Sequence, residues 1–304
     1  MKSYKDQMNM AVRGSSVLKE LSSKESAALK SCILDIFKAV TDLCSRHGLT
    51  YMLSGGSCLG AIRHHGFIPW DDDLDMMMPR ADYQVLLSLL DNGELGKDYS
   101  FNYPDGKNES PVSFLKVYKN DTVLIGLTDG KDCPYPQKVF LDVFPLDGVP
   151  SGAFARKIKG YIADALRFAS NTVYDSRPWS EAQKQFYQSR PEMMRTIRRR
   201  RFIGKILSVF PHRKWVYWFD RFVSDPSTSG YIGIPTGRKR YGGEIFPAKV
   251  YLPTIDGMFE GLTVQLPGDW DEYLRNLYNN YMELPPVEKR ERHFVIDIQL
   301  NNED

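Results

Sequence analysis

Four carboxylates run directly into an apolar stretch at Asp71-Asp72-Asp73-Leu74-Asp75-Met76-Met77-Met78-Pro79, and no other feature limits the fold as strongly. Met76, Met77 and Met78 read as a buried strand closed by Pro79, so the chain must carry acids to the rim of a sheet. Asp73 and Asp75 flank Leu74, and on a strand that alternation turns both carboxylates to the same side. Left alone, such a pair repels itself and one member is driven toward its neutral form. A divalent cation shared with substrate phosphates relieves that repulsion.

Upstream, a short β-like run (49–53) leads into Ser54-Gly55-Gly56-Ser57 and a brief helical segment (58–64). Glycines after a strand let backbone N–H groups approach a phosphate closely, and the helix that follows aims its positive end at the same anion. Downstream, Leu141-Asp142-Val143-Phe144 places one carboxylate in an otherwise apolar strand, which is costly unless a metal or cation meets it. A Gly-Gly pair by itself is most often a turn, and an Asp-x-Asp pair is often a salt-bridged face. The ordered set of glycine loop, double-acid strand and lone strand acid points to metal-assisted phosphoryl chemistry, with Asp142 completing a site begun by Asp73 and Asp75.

The rest of the chain reads as α+β. Ser22-x-x-Glu25 is a capping box before a helix with Leu29, Cys32, Ile33, Ile36, Phe37, Val40 and Leu43 at helical spacing and Gly48 as its stop. A helix is expected over 81–90 and strands over 113–118, 122–127 and 139–144, with Asn120-Asp121 as the first turn of a β-meander. Residues 1–150 form the expected core, 151–225 a helical insert, and 226–304 a β/helix segment that completes the domain and ends in a helix near 271–281, capped by Asp269. A chain of 304 residues, 42% hydrophobic, can bury a sizeable core. Its net charge of +2 gives no reason to expect a nucleic-acid partner. The N-terminal stretch has no apolar core of a signal peptide, no uncharged apolar run reaches membrane-spanning length, and the four cysteines make no C-x-x-C pair. A cytoplasmic protein with reduced thiols is the expectation.

The stretch Gly60-Ala61-Ile62-Arg63-His64-His65-Gly66-Phe67-Ile68-Pro69-Trp70-Asp71-Asp72-Asp73-Leu74-Asp75 closely resembles the hallmark of the LicD family. That family comprises the lipopolysaccharide and teichoic-acid cholinephosphotransferases, with fukutin and fukutin-related protein as distant relatives. Leu141-Asp142-Val143-Phe144-Pro145-Leu146-Asp147-Gly148 is similar to its second block. Phe259-Glu260-Gly261 and Tyr281-Met282-Glu283-Leu284-Pro285-Pro286 look like its C-terminal blocks. The resemblance runs from about residue 45 to 295 and is weakest in the insert. It implies a nucleotidyltransferase-like fold with a mixed sheet and a donor such as CDP-choline, CDP-ribitol or CDP-glycerol. An acceptor hydroxyl on a cell-surface glycan or its lipid-linked precursor would attack the phosphorus bearing the alcohol, and CMP would leave. Asp71, Asp73, Asp75 and Asp142 are the implied ligands of Mg²⁺, for which Mn²⁺ substitutes, and Asp73, Asp75 and Asp142 the implied catalytic acids. No cluster with zinc-ligand spacing stands out.

Gly55, Gly56, Ser57, Arg63 and Lys116 are the expected substrate contacts, although Arg63 reads equally as a surface ion pair. His64 and His65 are surface residues or bases, Trp70 packs beside the acids or stacks on a base, and Asp147 starts a turn. The basic run 195–201 (Arg195, Arg198, Arg199, Arg200, Arg201) is a solvated helix face or a contact with the inner face of the membrane or an anionic glycan. Tyr281, Glu283 and residues 289–293 are open as donor or acceptor contacts. Two other functions fit part of the pattern. A nucleotide-sugar glycosyltransferase explains Asp-x-Asp but neither the glycines nor Asp142, and a non-catalytic glycan-binding homologue would not require all three acids.

Overall fold

The computed structural model describes residues 15–286, Arg290 and 294–300; the N-terminal reading up to residue 14 and most of 289–293 lie outside the described residues. The capping box closes as expected, with the Ser22 hydroxyl accepting the Glu25 N–H, and opens α1 (Ser23–Arg46). Leu29, Ile33, Ile36, Phe37, Val40 and Leu43 form its buried stripe. Gly48, at φ 64°, turns the chain into β1 (Met52–Leu53). There follow α2 (Gly55–His64), β2 (Asp75–Pro79), α3 (Arg80–Asp91), β3 (Tyr99–Asn102), β4 (Leu115–Lys119), β5 (Val123–Gly126) and β6 (Phe140–Val149).

The insert contributes α4 (Ala153–Asp175), α5 (Glu181–Gln188), α6 (Pro191–Leu207) and α7 (His212–Val223). The remainder forms β7 (Tyr231–Gly233), β8 (Ile245–Pro247), α8 (Ala248–Tyr251), β9 (Ile255–Phe259), β10 (Leu262–Leu266), α9 (Trp270–Tyr278) and β11 (Val295–Gln299). Asp269 caps α9 by accepting the Glu272 N–H.

A seven-stranded mixed sheet organises the core in the order β1-β2-β6-β4-β3, and β7 joins β6 to β8. Only β2 and β6 run parallel, and their register sets Asp75 beside Asp142. β6 changes neighbours along its length. Its last partner in β4 is Leu115, opposite Val143, and its first in β7 is Gly233, opposite Asp147. Pro145 falls in the gap, where a residue without an N–H is tolerated.

Two expectations are corrected here. The Asn120-Asp121 turn follows β4, with Asp121 at φ 59°, but β5 does not continue a meander. Both edges of β4 are taken, by β3 and β6, so β5 leaves the sheet and pairs with β11 from the C-terminal end. Asp147 does not start a turn, because β6 runs on to Val149. Asp147 is 1% exposed and meets Arg80, 2% exposed, through two 2.7 Å hydrogen bonds. Arg80 also reaches Asp220 of α7 at 2.9 Å, and the Asp225 N–H donates to Asp147. Burial of this acid is supported chiefly by a guanidinium from the first turn of α3, a partner that local sequence cannot announce.

Candidate active site

Gly55 and Gly56 lie within the first turn of α2 rather than in a preceding loop. Gly55 has φ +49°, a left-handed conformation in which a side chain is strained. A Cβ there would stand 3.6 Å from Asp75 Oδ2, and one at Gly56 would stand 2.8 Å from Asp71 Oδ2. The glycines therefore let the acids close over the helix start. The Gly55 N–H is held by the Tyr273 hydroxyl at 3.0 Å, so a protein group takes one of the amides expected to face a phosphate.

Carboxylate oxygens of Asp71, Asp72 and Asp73 come within 4.8 Å of one another, all three residues half-buried. Asp75 opens β2 next to them, and Asp142 stands beside it on the adjacent strand, about 4.8 Å away at the backbone. The Asp142 N–H donates to the Leu74 carbonyl, and Leu74 is buried between its two acidic neighbours. All five acids line one cavity of about 1050 Å³, together with Gly55, Gly56, Arg63 and Trp70. Asp72 belongs to the tight set, although sequence reasoning passed over it. An all-oxygen cluster of this kind suits a hard divalent cation such as Mg²⁺ or Mn²⁺.

The other expected residues have specific neighbours. Ser57 Oγ accepts the Asp75 N–H at 2.8 Å and so positions the acidic strand from behind. Lys116, opposite Asp142 in the antiparallel β4–β6 ladder, pairs with it at 2.6 Å, its ammonium 3.3 Å from the centre of the Phe140 ring. Among the described residues Arg63 meets no acid: it donates to the carbonyls of Tyr281 (2.5 Å) and Glu283 (3.3 Å). Its Nε donates to His64 Nε2 at 3.0 Å, and burial with the adjacent Arg63 charge holds the His64 pKa below its ordinary value. His64 thus supports Arg63, while His65, at φ 57°, caps α2.

Trp70 meets the His64 ring edge-on, and the Arg290 guanidinium lies 4.1 Å from its ring centre. Glu260 Oε1 accepts the Phe67 N–H at 2.9 Å, and Phe259 packs on Phe67 with ring centres 4.9 Å apart. The Phe-Glu-Gly block clamps the loop that delivers the acids.

The opposite wall of the cavity was not anticipated. It carries Arg167, Asn171 and Asp175 of α4, Arg200 of α6, and Arg238 and Glu244 from the C-terminal segment. Burial lowers the Arg167 pKa and raises that of Glu244. Arg167 donates to the Gly237 carbonyl at 3.4 Å. Burial, reinforced by Asp71 and Asp75, raises the Tyr278 phenol far above its ordinary value, so it stays a hydrogen-bond donor beside the acids. The signal available was a polar stripe at helical spacing, Arg167, Asn171 and Tyr174.

The basic run divides. Arg200 pairs with Asp175 at 2.5 Å and Arg201 donates to the Asp175 and Arg177 carbonyls at 2.6 Å, whereas Arg195, Arg198 and Arg199 are exposed.

Residues 48–125 match the family described as "LicD/FKTN/FKRP, nucleotidyltransferase domain", in keeping with the mixed sheet and its acidic rim. The lipopolysaccharide cholinephosphotransferase LicD of Haemophilus influenzae is 30% identical over 290 residues, covering 91% of this chain and 98% of that protein. An uncharacterised protein of Rickettsia prowazekii is 29% identical over 120 residues, 38% of this chain and 44% of its own. With near-complete coverage of both chains at that identity, on an α+β nucleotidyltransferase-like fold, this chain belongs to the LicD family.

Proposed function

We propose that the protein is a divalent-metal-dependent transferase that moves a phospho-alcohol, in the first place phosphocholine, from a CDP-alcohol to a hydroxyl of a lipopolysaccharide or related glycan precursor. The end-to-end relation to the Haemophilus cholinephosphotransferase carries this reading. The acid-rimmed cavity supports it, being large for a small-molecule site and so roomy enough for donor and acceptor together. A nucleotide-linked donor fits a cytoplasmic site of action.

The acceptor oxygen attacks the phosphorus that bears the alcohol. A new P–O bond forms, the P–O bond to CMP breaks, and CMP departs with the electron pair. Little covalent help is needed in such a transfer, so positioning and charge neutralisation dominate. Asp71, Asp72 and Asp73, with Asp75 and Asp142 at their side, would hold the cation, which neutralises phosphate charge when bound. Asp73 or Asp142 would accept the acceptor proton, Asp142 being the one paired with the Lys116 ammonium at 2.6 Å. Arg63 and Arg167 reach the cavity from other sides and suit the anionic parts of donor and acceptor.

Incubation with CDP-choline, CDP-ribitol, CDP-glycerol or a UDP-sugar, with Mg²⁺ and a glycan acceptor, tests the reading. CMP release from a CDP-alcohol, abolished by EDTA, is the expected result. UDP release would instead favour the glycosyltransferase, and donor turnover undiminished in chelator would sink the metal requirement.

A further inference from the structure

A surface helix of a globular protein turns its apolar stripe to the core; α4 does the reverse over its first four turns. Phe154, Ile158, Tyr161, Ile162 and Phe168 recur at helical spacing and are all exposed, Phe154 at 78%. Arg167 and Asn171, turned away from that stripe, line the cavity, and Asp175 joins them at the end of the helix. Tyr161, Ile162 and Phe168 share one shallow apolar surface with Leu207 at the end of α6 and Trp215 of α7. The outer side of α6 adds Phe202, 67% exposed, and Ile206, 61% exposed. Isolated exposed apolar residues need no explanation, but a contiguous set across neighbouring helices does.

Charge narrows the choice of occupant. Lys157 on α4 and Arg195, Arg198, Arg199 and Lys205 on α6 are exposed along this side. Of the four acids in α4, α6 and α7, Asp175 and Asp220 are turned inward onto Arg200 and Arg80, Asp164 is half-buried, and Glu192 at the start of α6 is exposed, so cations outnumber acids among the exposed charges. A two-fold contact between copies would bring these cations against their own counterparts, whereas an anionic surface would complement them. Among the described residues no helix is long and apolar enough to cross a membrane. An apolar face edged by cations and running along helix axes is the pattern that lies in a headgroup region.

We propose that the outer face of α4 and α6 docks on a bilayer containing anionic lipid, which brings the cavity on the inner side of α4 to the membrane surface. The attraction comes from the exposed cations and the apolar stripe, and Arg200 and Arg201 take no part because they are committed inside the protein. This inference rests on the exposed face and not on the transfer chemistry.

Sedimentation of the full chain with phosphatidylcholine vesicles, with and without phosphatidylglycerol, tests it. Binding to the anionic vesicles at low salt is expected, weakening as salt screens the cations. Phe154→Ser/Ile158→Ser/Phe202→Ser should weaken binding at least about tenfold with the melting temperature unchanged, since these side chains are exposed. Arg198→Glu/Arg199→Glu should remove the preference for anionic lipid. No binding to phosphatidylglycerol vesicles at low salt, or binding untouched by the serine variant, overturns the proposal. So does a concentration-dependent dimer, seen by analytical ultracentrifugation, that the serine variant dissociates while wild type ignores vesicles.

Discussion

Gly56 shows how little room the acidic loop leaves at the helix start, since a Cβ there would sit 2.8 Å from Asp71 Oδ2. That oxygen is the far end of a flexible side chain, so Gly56→Ala should displace the carboxylate rather than the backbone. Stability should change by less than about 1 kcal/mol, alanine being a good helix former, while transfer activity falls about tenfold or more, as for a misplaced catalytic group. Paired denaturation and rate measurements check this; an equally large loss in both would show that Gly56 matters for folding instead. Asp73→Asn isolates charge from packing. Turnover should drop by about a hundredfold or more, and relief of repulsion among Asp71, Asp72 and Asp73 should leave the melting temperature unchanged or raised. A clear loss of thermal stability would mean that Asp73 serves the fold.

At the scale of elements, the helical insert is fastened to the sheet domain by charged residues whose partners come from distant segments. Glu109, in the connection between β3 and β4, meets Arg177 at 2.5 Å and Arg213 at 3.2 Å, with His212 Nδ1 at 3.7 Å. The His212 ring and the Arg177 and Arg213 guanidiniums hold its carboxyl down to about 2, from an ordinary value of 4.5. Because the folded value is the lower one, the stabilisation is complete above pH 4.5 and lost as pH falls toward 2. Burial likewise holds the His212 pKa below its ordinary 6.5, so acidification through that value adds an earlier loss of the same sign. Glu109→Gln should cost about 2 kcal/mol at neutral pH and flatten the acid limb below pH 4.5. Urea midpoints measured against pH would reveal it, and a limb unchanged in the variant would place the titrating group elsewhere.

For the molecule as a whole, one cavity is assembled from the acidic strand region, the insert and the C-terminal segment. A metal ion held by Asp71, Asp72 and Asp73, as proposed, would couple to the folded state, because the unfolded chain does not hold the assembled site. Titrating Mg²⁺ into chelator-treated protein should raise the melting temperature with the logarithm of its concentration above the dissociation constant, reaching about 2.7 kcal/mol of stability at a hundred times that constant. Asp73→Asn should remove most of that shift. A melting temperature indifferent to Mg²⁺ in wild type would argue against a resident cation in the absence of donor.

The amino-acid order alone determined the elements whose signals are local. The Ser22–Glu25 box and its apolar stripe specify α1, and Met76, Met77 and Met78 specify β2. The apolar surroundings of Asp142 marked it as an acid in need of a partner, and the Gly60–Asp75 resemblance identified the family. Tertiary structure decided what depends on distant partners. It sent β5 to β11 because both edges of β4 were filled, and it buried Asp147 against Arg80. It also split the basic run between the protein interior and the surface. Periodicity reports that α4 has two unlike faces, but not which one meets water: that follows from where the polar face of α4 lies, against a cavity built by three separate segments of the chain.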